Sequence, residues 1–227
     1  MLKVENLSKY FIAHILGGKR ISGFDGISFF VEAGKSLGLS GPSGIGKSSV
    51  LKCIYRTYLP TGGNVYYTTP DGNVVNLREI SEHEILALRH KQIGYVTQFL
   101  KVLPRVTATE IVAYPLLRYG VPHKEAIERA RSLLSRLRIP TNLQDAYPVT
   151  FSGGEKQRIN LARGIIARPR LILLDEPTAS LDNESMEIVA DLLLEMKTAG
   201  TTMVAIFHDN RIMGELMDDI YEMPSQD

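Results

Sequence analysis

Apolar and polar positions change rhythm several times along this 227-residue chain, and each rhythm predicts an element. Leu2 to Leu7, Ile27 to Val31 and Val65 to Tyr67 read as strands, and Asp71-Gly72 ahead of Val74 and Val75 marks a hairpin turn. Leu37 to Leu39, Ile93 to Thr97, Leu171 to Leu174 and Met203 to Phe207 are short apolar stretches that suit a buried parallel sheet. From Val106 to Tyr147 the spacing turns helical: Ile127, Ala130, Leu133, Leu134 and Leu137 place one apolar stripe on a helix over His123 to Arg138, with Pro140 as its stop. Gly46 to Tyr58 and Glu184 to Lys197 read as two further helices, and Gly200 suits the carboxyl end of the second. The pattern is that of an α/β chain with a hairpin in its first third.

Two turns in this pattern carry phosphate chemistry. GPSGIGKSS, from Gly41 to Ser49, follows the apolar run Ser36 to Leu39 and opens a helix, the context that the G-x-x-x-x-G-K-[ST] motif requires. Gly41, Gly44 and Gly46 let the loop curl so that its N–H groups, with those of Pro42's successors Ser43 and Ile45, point at phosphate oxygens. The new helix adds its positive end. Lys47 can reach the β- and γ-phosphates of ATP, and the Ser48 hydroxyl is placed to hold Mg²⁺. LILLDEP, Leu171 to Pro177, is a buried strand ending in two acids. In an open α/β sheet that end is where ligands sit, so Asp175 is read as the Mg²⁺ carboxylate and Glu176 as the base for an attacking water.

FSGGEKQ, Phe151 to Gln157, lies between these two, and with them the chain resembles the ABC-type ATPases from about Leu2 to Tyr221. The resemblance implies a P-loop NTPase fold with an antiparallel β subdomain and an inserted helical subdomain. Its nucleotide-binding core would take residues 1–97 and 165–227, and its helical part residues 98–164. It implies an ABC dimer, either a homodimer or a pairing with a related cassette, in which Ser152, Gly153 and Gly154 contact a partner's ATP. Gln98 matches the family's γ-phosphate- and Mg²⁺-sensing glutamine, Ser180, Leu181 and Asp182 match the loop that speaks across the dimer, and His208 matches the switch histidine. An aromatic side chain that stacks on adenine is expected near the amino end, at Phe11 or its neighbour Tyr10.

Within the family, YLPTGGNV, VTQFLKVLPRVTATEIVAYPLL, TFSGGEKQRINLARGIIARPR, MVAIFHD and the excursion IAHILGGKRISGF resemble the PhnL subfamily of the bacterial carbon–phosphorus lyase system. That resemblance implies an ATPase subunit associated with α-D-ribose 1-methylphosphonate 5-triphosphate synthase. Its expected partners are soluble carbon–phosphorus lyase core subunits, met through a surface at Phe99 to Leu116. The alternative is the ATP-binding subunit of a membrane transporter, of the lipoprotein- or small-molecule-exporting type. DNA-repair members split the fold with a long coiled coil, whereas here ordinary domain sequence joins Gly41 to Ser152. Translation factors carry two cassettes, and this chain has one phosphate loop.

Composition narrows the partners. With 26 basic and 25 acidic residues the net charge is +1, which gives no broad attraction to nucleic acid or to an anionic membrane. No apolar stretch approaches the roughly 20 residues that span a bilayer, and MLKVENLSKY carries no signal-peptide core. A cytoplasmic chain without direct membrane insertion is expected. The one cysteine, Cys53, sits among Val50, Leu51 and Ile54 and reads as a packed, reduced thiol.

Overall fold

The computed structural model describes residues 1–13, 19–100 and 105–224. Two sheets organise them. The antiparallel sheet, in the order β2-β1-β4-β5, is built from β1 (Leu2–Ala13), β2 (Lys19–Val31), β4 (Gly62–Thr68) and β5 (Val74–Asn76). The parallel sheet, in the order β6-β7-β8-β3-β9, takes β3 (Ser36–Ser40), β6 (Ile93–Val96), β7 (Leu171–Asp175), β8 (Thr202–Ile206) and β9 (Asp219–Glu222).

The unbroken apolar runs follow from packing on both faces of the parallel sheet. Successive side chains on a strand point to opposite sides. Leu171 and Leu173, with Val204 and Ile206, therefore join one core with the antiparallel sheet and α1 (Lys47–Ile54). Ile172 and Leu174, with Met203 and Ala205, join a second core with the helices on the far side. All four leucine and isoleucine side chains of β7 are fully buried, each stabilising the fold by roughly 1.5–3 kcal/mol.

That second core is built by α3 (Ala108–Arg118), α4 (His123–Arg136), α6 (Gly153–Ile165) and α7 (Asn183–Thr198), with the short α5 (Thr141–Gln144) and α8 (Asn210–Leu216) beside them. Gly164 lets α6 lie close on β6, because a Cβ there would stand 2.5 Å from a Val96 methyl.

Several boundaries differ from the sequence expectation. β1 and β2 run past their apolar cores into a two-stranded arm, in which Phe11 pairs with Ile21 and Ile12 with Arg20 after register shifts near Lys9. Residues 14–18 of the IAHILGGKRISGF excursion lie outside the described residues. The first helix stops at Ile54 and not at Tyr58, as Arg56 turns to a left-handed φ of 60°. The helix of the apolar stripe ends at Arg136, two residues early, since Arg138 has a φ of 54°; Pro140 caps the next short helix. Three elements were not expected at all: α2 (Glu82–Lys91), α8 and β9.

Candidate active site

Parallel strands bring their carboxyl ends to one edge, so the turns after β3, β6, β7 and β8 gather there although they are far apart in sequence. After β3 comes the phosphate loop. Gly41, Gly44 and Gly46 adopt φ of 137°, 82° and 102°, values open to glycine at little cost. The constraint at Gly46 is also steric: a Cβ there would stand 1.9 Å from the backbone oxygen of Gly23. Gly46→Ala is therefore expected to displace the loop, weakening ATP binding more than tenfold and lowering stability by roughly 3 kcal/mol; calorimetric titration and thermal melting would measure both. Pro42, Ser43 and Gly44 are exposed at the rim, with Ile45 and Ser49 half-buried beneath them.

Lys47 opens α1 and turns its ammonium back onto the loop, donating to the carbonyls of Gly41 at 2.6 Å and Pro42 at 2.9 Å. Ser48, one residue on, donates to Asp175 Oδ1 at 2.7 Å. Asp175 closes β7 and is buried; its second oxygen accepts from the Tyr95 hydroxyl at 3.0 Å. Burial, and next the charge of Asp175, push the Tyr95 phenol far above its usual value, so it stays a proton donor. The Ser48 hydroxyl and Asp175 carboxylate are a hard oxygen donor set that would fit Mg²⁺. Among the described residues no group of three or more His, Cys, Asp or Glu could hold a metal by itself.

Glu176 follows with a φ of 53°, unusual for a residue with a side chain. Its backbone is held on both sides: its N–H donates to Ile206 O at 3.0 Å, and its carbonyl accepts from Gln157 Nε2 at 3.2 Å. The carboxylate is clasped as well. Gln98 Nε2 donates to Oε2 at 2.8 Å, and His208 Nε2 lies 2.9 Å from Oε1. Ser48 with Asp175, and Gln98 and His208 with Glu176, thus form two bonded groups side by side, joined through the Asp175–Glu176 peptide. Of the expected metal ligands, Gln98 meets Glu176 in this arrangement and not Asp175.

The remaining residues lie apart from it. Ser152 caps α6 through a reciprocal bond with Glu155, and Gly153 and Gly154 sit against Ser180. None of the three hydrogen-bonds to the phosphate loop among the described residues. Asp182 caps α7, and two bonds from Ser185, first its backbone N–H and then its hydroxyl, hold the Asp182 carboxyl below its usual value. Phe11 and Tyr10 point to opposite faces of the arm. The Phe11 ring meets Tyr58 edge-on at 5.4 Å beside Gly23, the residue that crowds Gly46, whereas Tyr10 is stacked under Arg20 at 3.3 Å.

The protein-family model that matches this chain is described as ABC transporter and covers residues 24–179, more than half of it. The chain belongs to the ABC transporter family. Its fold is the ABC-type P-loop NTPase fold, with antiparallel β subdomain, parallel core sheet and helical subdomain. Among curated relatives, the lipoprotein-releasing system ATP-binding protein LolD of Aquifex aeolicus is 35% identical over 98% of this chain and 93% of its own length. The methionine import ATP-binding protein MetN of Mannheimia succiniciproducens is 32% identical over 97% of this chain and 61% of its own length. Among solved structures, the dimeric post-hydrolysis state of the ATP-binding cassette MJ0796 bound to ADP and Pi superposes with a TM-score of 0.88 at 28% identity, covering 98% of this chain and 94% of that one.

Two residues of this cassette's site escaped the sequence reading, Tyr95 and Gln157. A signal existed for Tyr95. It shares a strand face with buried Ile93, and a tyrosine so placed needs a partner for its hydroxyl. Gln157 is a buried amide one turn into α6 with no periodic feature to mark it.

Proposed function

We propose that this cassette binds Mg²⁺–ATP between its own phosphate loop and the Ser152–Gly154 turn of a second cassette, and hydrolyses it with Glu176 as the base. The observation that carries this is the Glu176 carboxylate, clasped by Gln98 and His208 one residue beyond the Asp175–Ser48 pair. When ATP enters, the Lys47 ammonium exchanges the Gly41 and Pro42 carbonyls for phosphate oxygens. Ser48 and Asp175 hold Mg²⁺, which supplies neutralisation of phosphate charge. Glu176 accepts a proton from water as its oxygen attacks the γ-phosphorus. The bond to the β-phosphate oxygen breaks, leaving ADP and phosphate. Gln98 and His208 position this carboxylate and meet the γ-phosphate. Phe11, on the Gly46 side of the arm, stacks on adenine.

The exposed Ser152 turn stands against Ser180 and makes no hydrogen bond to its own phosphate loop among the described residues, which supports a second cassette as the one it serves. That MJ0796 is dimeric with ADP and Pi bound supports a pairing of two cassettes. Whether the second cassette is identical or related would be read from the mass of the ATP-trapped species.

What the hydrolysis drives is supported from two sides. The relatives named above belong to lipoprotein release and methionine import, which supports coupling to a membrane partner. Among the described residues no helix is long and apolar enough to cross a membrane, so such a partner would supply the span. A specific observation favours a second reading: the stretches between the universal motifs, YLPTGGNV and TFSGGEKQRINLARGIIARPR among them, resemble the phosphonate lyase subfamily. In either case the contact surface proposed is Phe99 to Leu116, where Phe99 and Tyr114 are exposed; its residues 101–104 lie outside the described residues. Mixing the chain with soluble carbon–phosphorus lyase core proteins and ATP separates the two. Co-elution supports the lyase assembly, and ATPase stimulation by a copurified permease without that co-elution supports transport.

A further inference from the structure

Beside the site runs a groove of about 340 Å³ walled by Tyr55, Arg89, Tyr114, Arg118 and Arg163, with Tyr95 also in its lining. The Tyr55 and Tyr95 rings meet at 5.0 Å between centroids. Tyr55 is fixed in turn: Arg89 stacks on its ring at 4.6 Å and donates to its carbonyl at 2.8 Å. One side chain therefore spans from an open groove to a buried carboxylate. Its ring is packed from the groove side, and its hydroxyl ends on Asp175 Oδ2 while Ser48 holds Oδ1.

We propose that Tyr95 is a positioning residue for nucleotide hydrolysis: its hydroxyl holds the Asp175 carboxylate in a single rotamer with Oδ1 turned to Ser48, and its ring makes that hold dependent on the packing of the groove. A carboxylate pinned through one oxygen by a neutral donor keeps its other oxygen aimed at the cation site. Without the hydroxyl, among the described residues the bond to Ser48 is the one hydrogen bond left to the Asp175 carboxylate, and its rotation about χ is less restrained. Other tyrosines near the site cannot substitute, because Tyr55 lies behind Tyr95 and Tyr58 faces Phe11. The proposal rests on the reading of Asp175 as the metal carboxylate.

The test compares Tyr95→Phe with Tyr55→Phe, which keeps the packing and the Asp175 bond. The primary measurement is Mn²⁺ affinity in the presence of a non-hydrolysable ATP analogue, read by electron paramagnetic resonance. Tyr95→Phe should weaken Mn²⁺ binding about tenfold and lower kcat by a similar factor, with KM for ATP within about twofold, while Tyr55→Phe stays within about twofold throughout. Equal Mn²⁺ affinity in Tyr95→Phe and wild type would overturn the proposal. A second measurement needs no loss of the hydroxyl: 3-fluorotyrosine placed at position 95 should shift its ¹⁹F resonance when Mg²⁺ is added to the analogue complex, and again with Tyr55→Leu, which loosens the groove side. An unmoved resonance in both cases would overturn it too. Failure of wild-type protein to bind the analogue would count against the ATPase reading instead, so the two failures are distinct.

Discussion

Glu176→Gln is expected to retain ATP binding, accumulate an ATP-trapped dimer and release phosphate about 10²- to 10⁴-fold more slowly than wild type. Glutamine is nearly isosteric and its amide oxygen can still accept from Gln98, so the clasp seen at 2.8 Å survives in outline. What disappears is a group that can take a proton from water. The backbone at this position should tolerate the change, since the bonds to Ile206 and Gln157 that accompany its φ of 53° are made by backbone atoms. Such a left-handed residue costs roughly 1–3 kcal/mol, and it persists only where its surroundings over-determine it. Here the effect is to swing the carboxylate out of the strand line and between Gln98 and His208. Phosphate release within threefold of wild type would remove Glu176 from the role of base, and size exclusion with ATP would show whether the dimer is trapped.

Lys47→Ala is expected to fail earlier, at binding. Each hydrogen bond from the ammonium to a charged phosphate oxygen contributes roughly 1.5–3 kcal/mol, so ATP affinity should fall on the order of 10- to 100-fold or more. The same ammonium ties the carbonyls of Gly41 and Pro42, and its loss leaves the loop less ordered. The Pro42 bond is exposed and the Gly41 bond part-buried, so water can take over most of what is lost and the melting temperature should move by only a few degrees. That separates this variant from Gly46→Ala, where a Cβ meets backbone and folding itself suffers. Titration with ATP measures the first effect and a thermal melt the second. Wild-type ATP affinity in Lys47→Ala would contradict the assignment of the phosphate loop.

Much of the architecture is legible because two strong signals lie in contiguous residues. The β7 run is unbroken because cores press on both faces of it, and the α4 stripe is spaced at helical period because one face packs. Two of the three missed elements, α2 and β9, lack a continuous buried face, whereas α8 buries Ile212, Met213 and Leu216 in a helix too short to show a period. Only Ile85 of α2 is buried, so no stripe exists to be seen, although its reciprocal cap between Ser81 and Glu84 is a local sign of a helix start. β9 is a short, mostly exposed strand that is held by pairing with β3, and nothing in Asp219 to Glu222 announces it. Helix ends were misjudged at Arg56 and Arg138 because an arginine in a left-handed turn carries no glycine to mark it.

The amino-acid sequence by itself determined the chemistry available to this protein. A glycine-rich turn before a helix, an apolar strand ending in two acids and a small-residue turn with its own cap are each encoded within a few neighbouring residues, as each depends on local backbone freedom and hydrophobic period. Only the tertiary structure decided how those pieces meet. Ser48 reaches Asp175 across 127 positions, and Tyr95 reaches the other oxygen of the same carboxylate across 80. These contacts arise from the strand order β6-β7-β8-β3, which sets four carboxyl ends side by side, a long-range consequence of sheet packing that no single stretch of sequence contains.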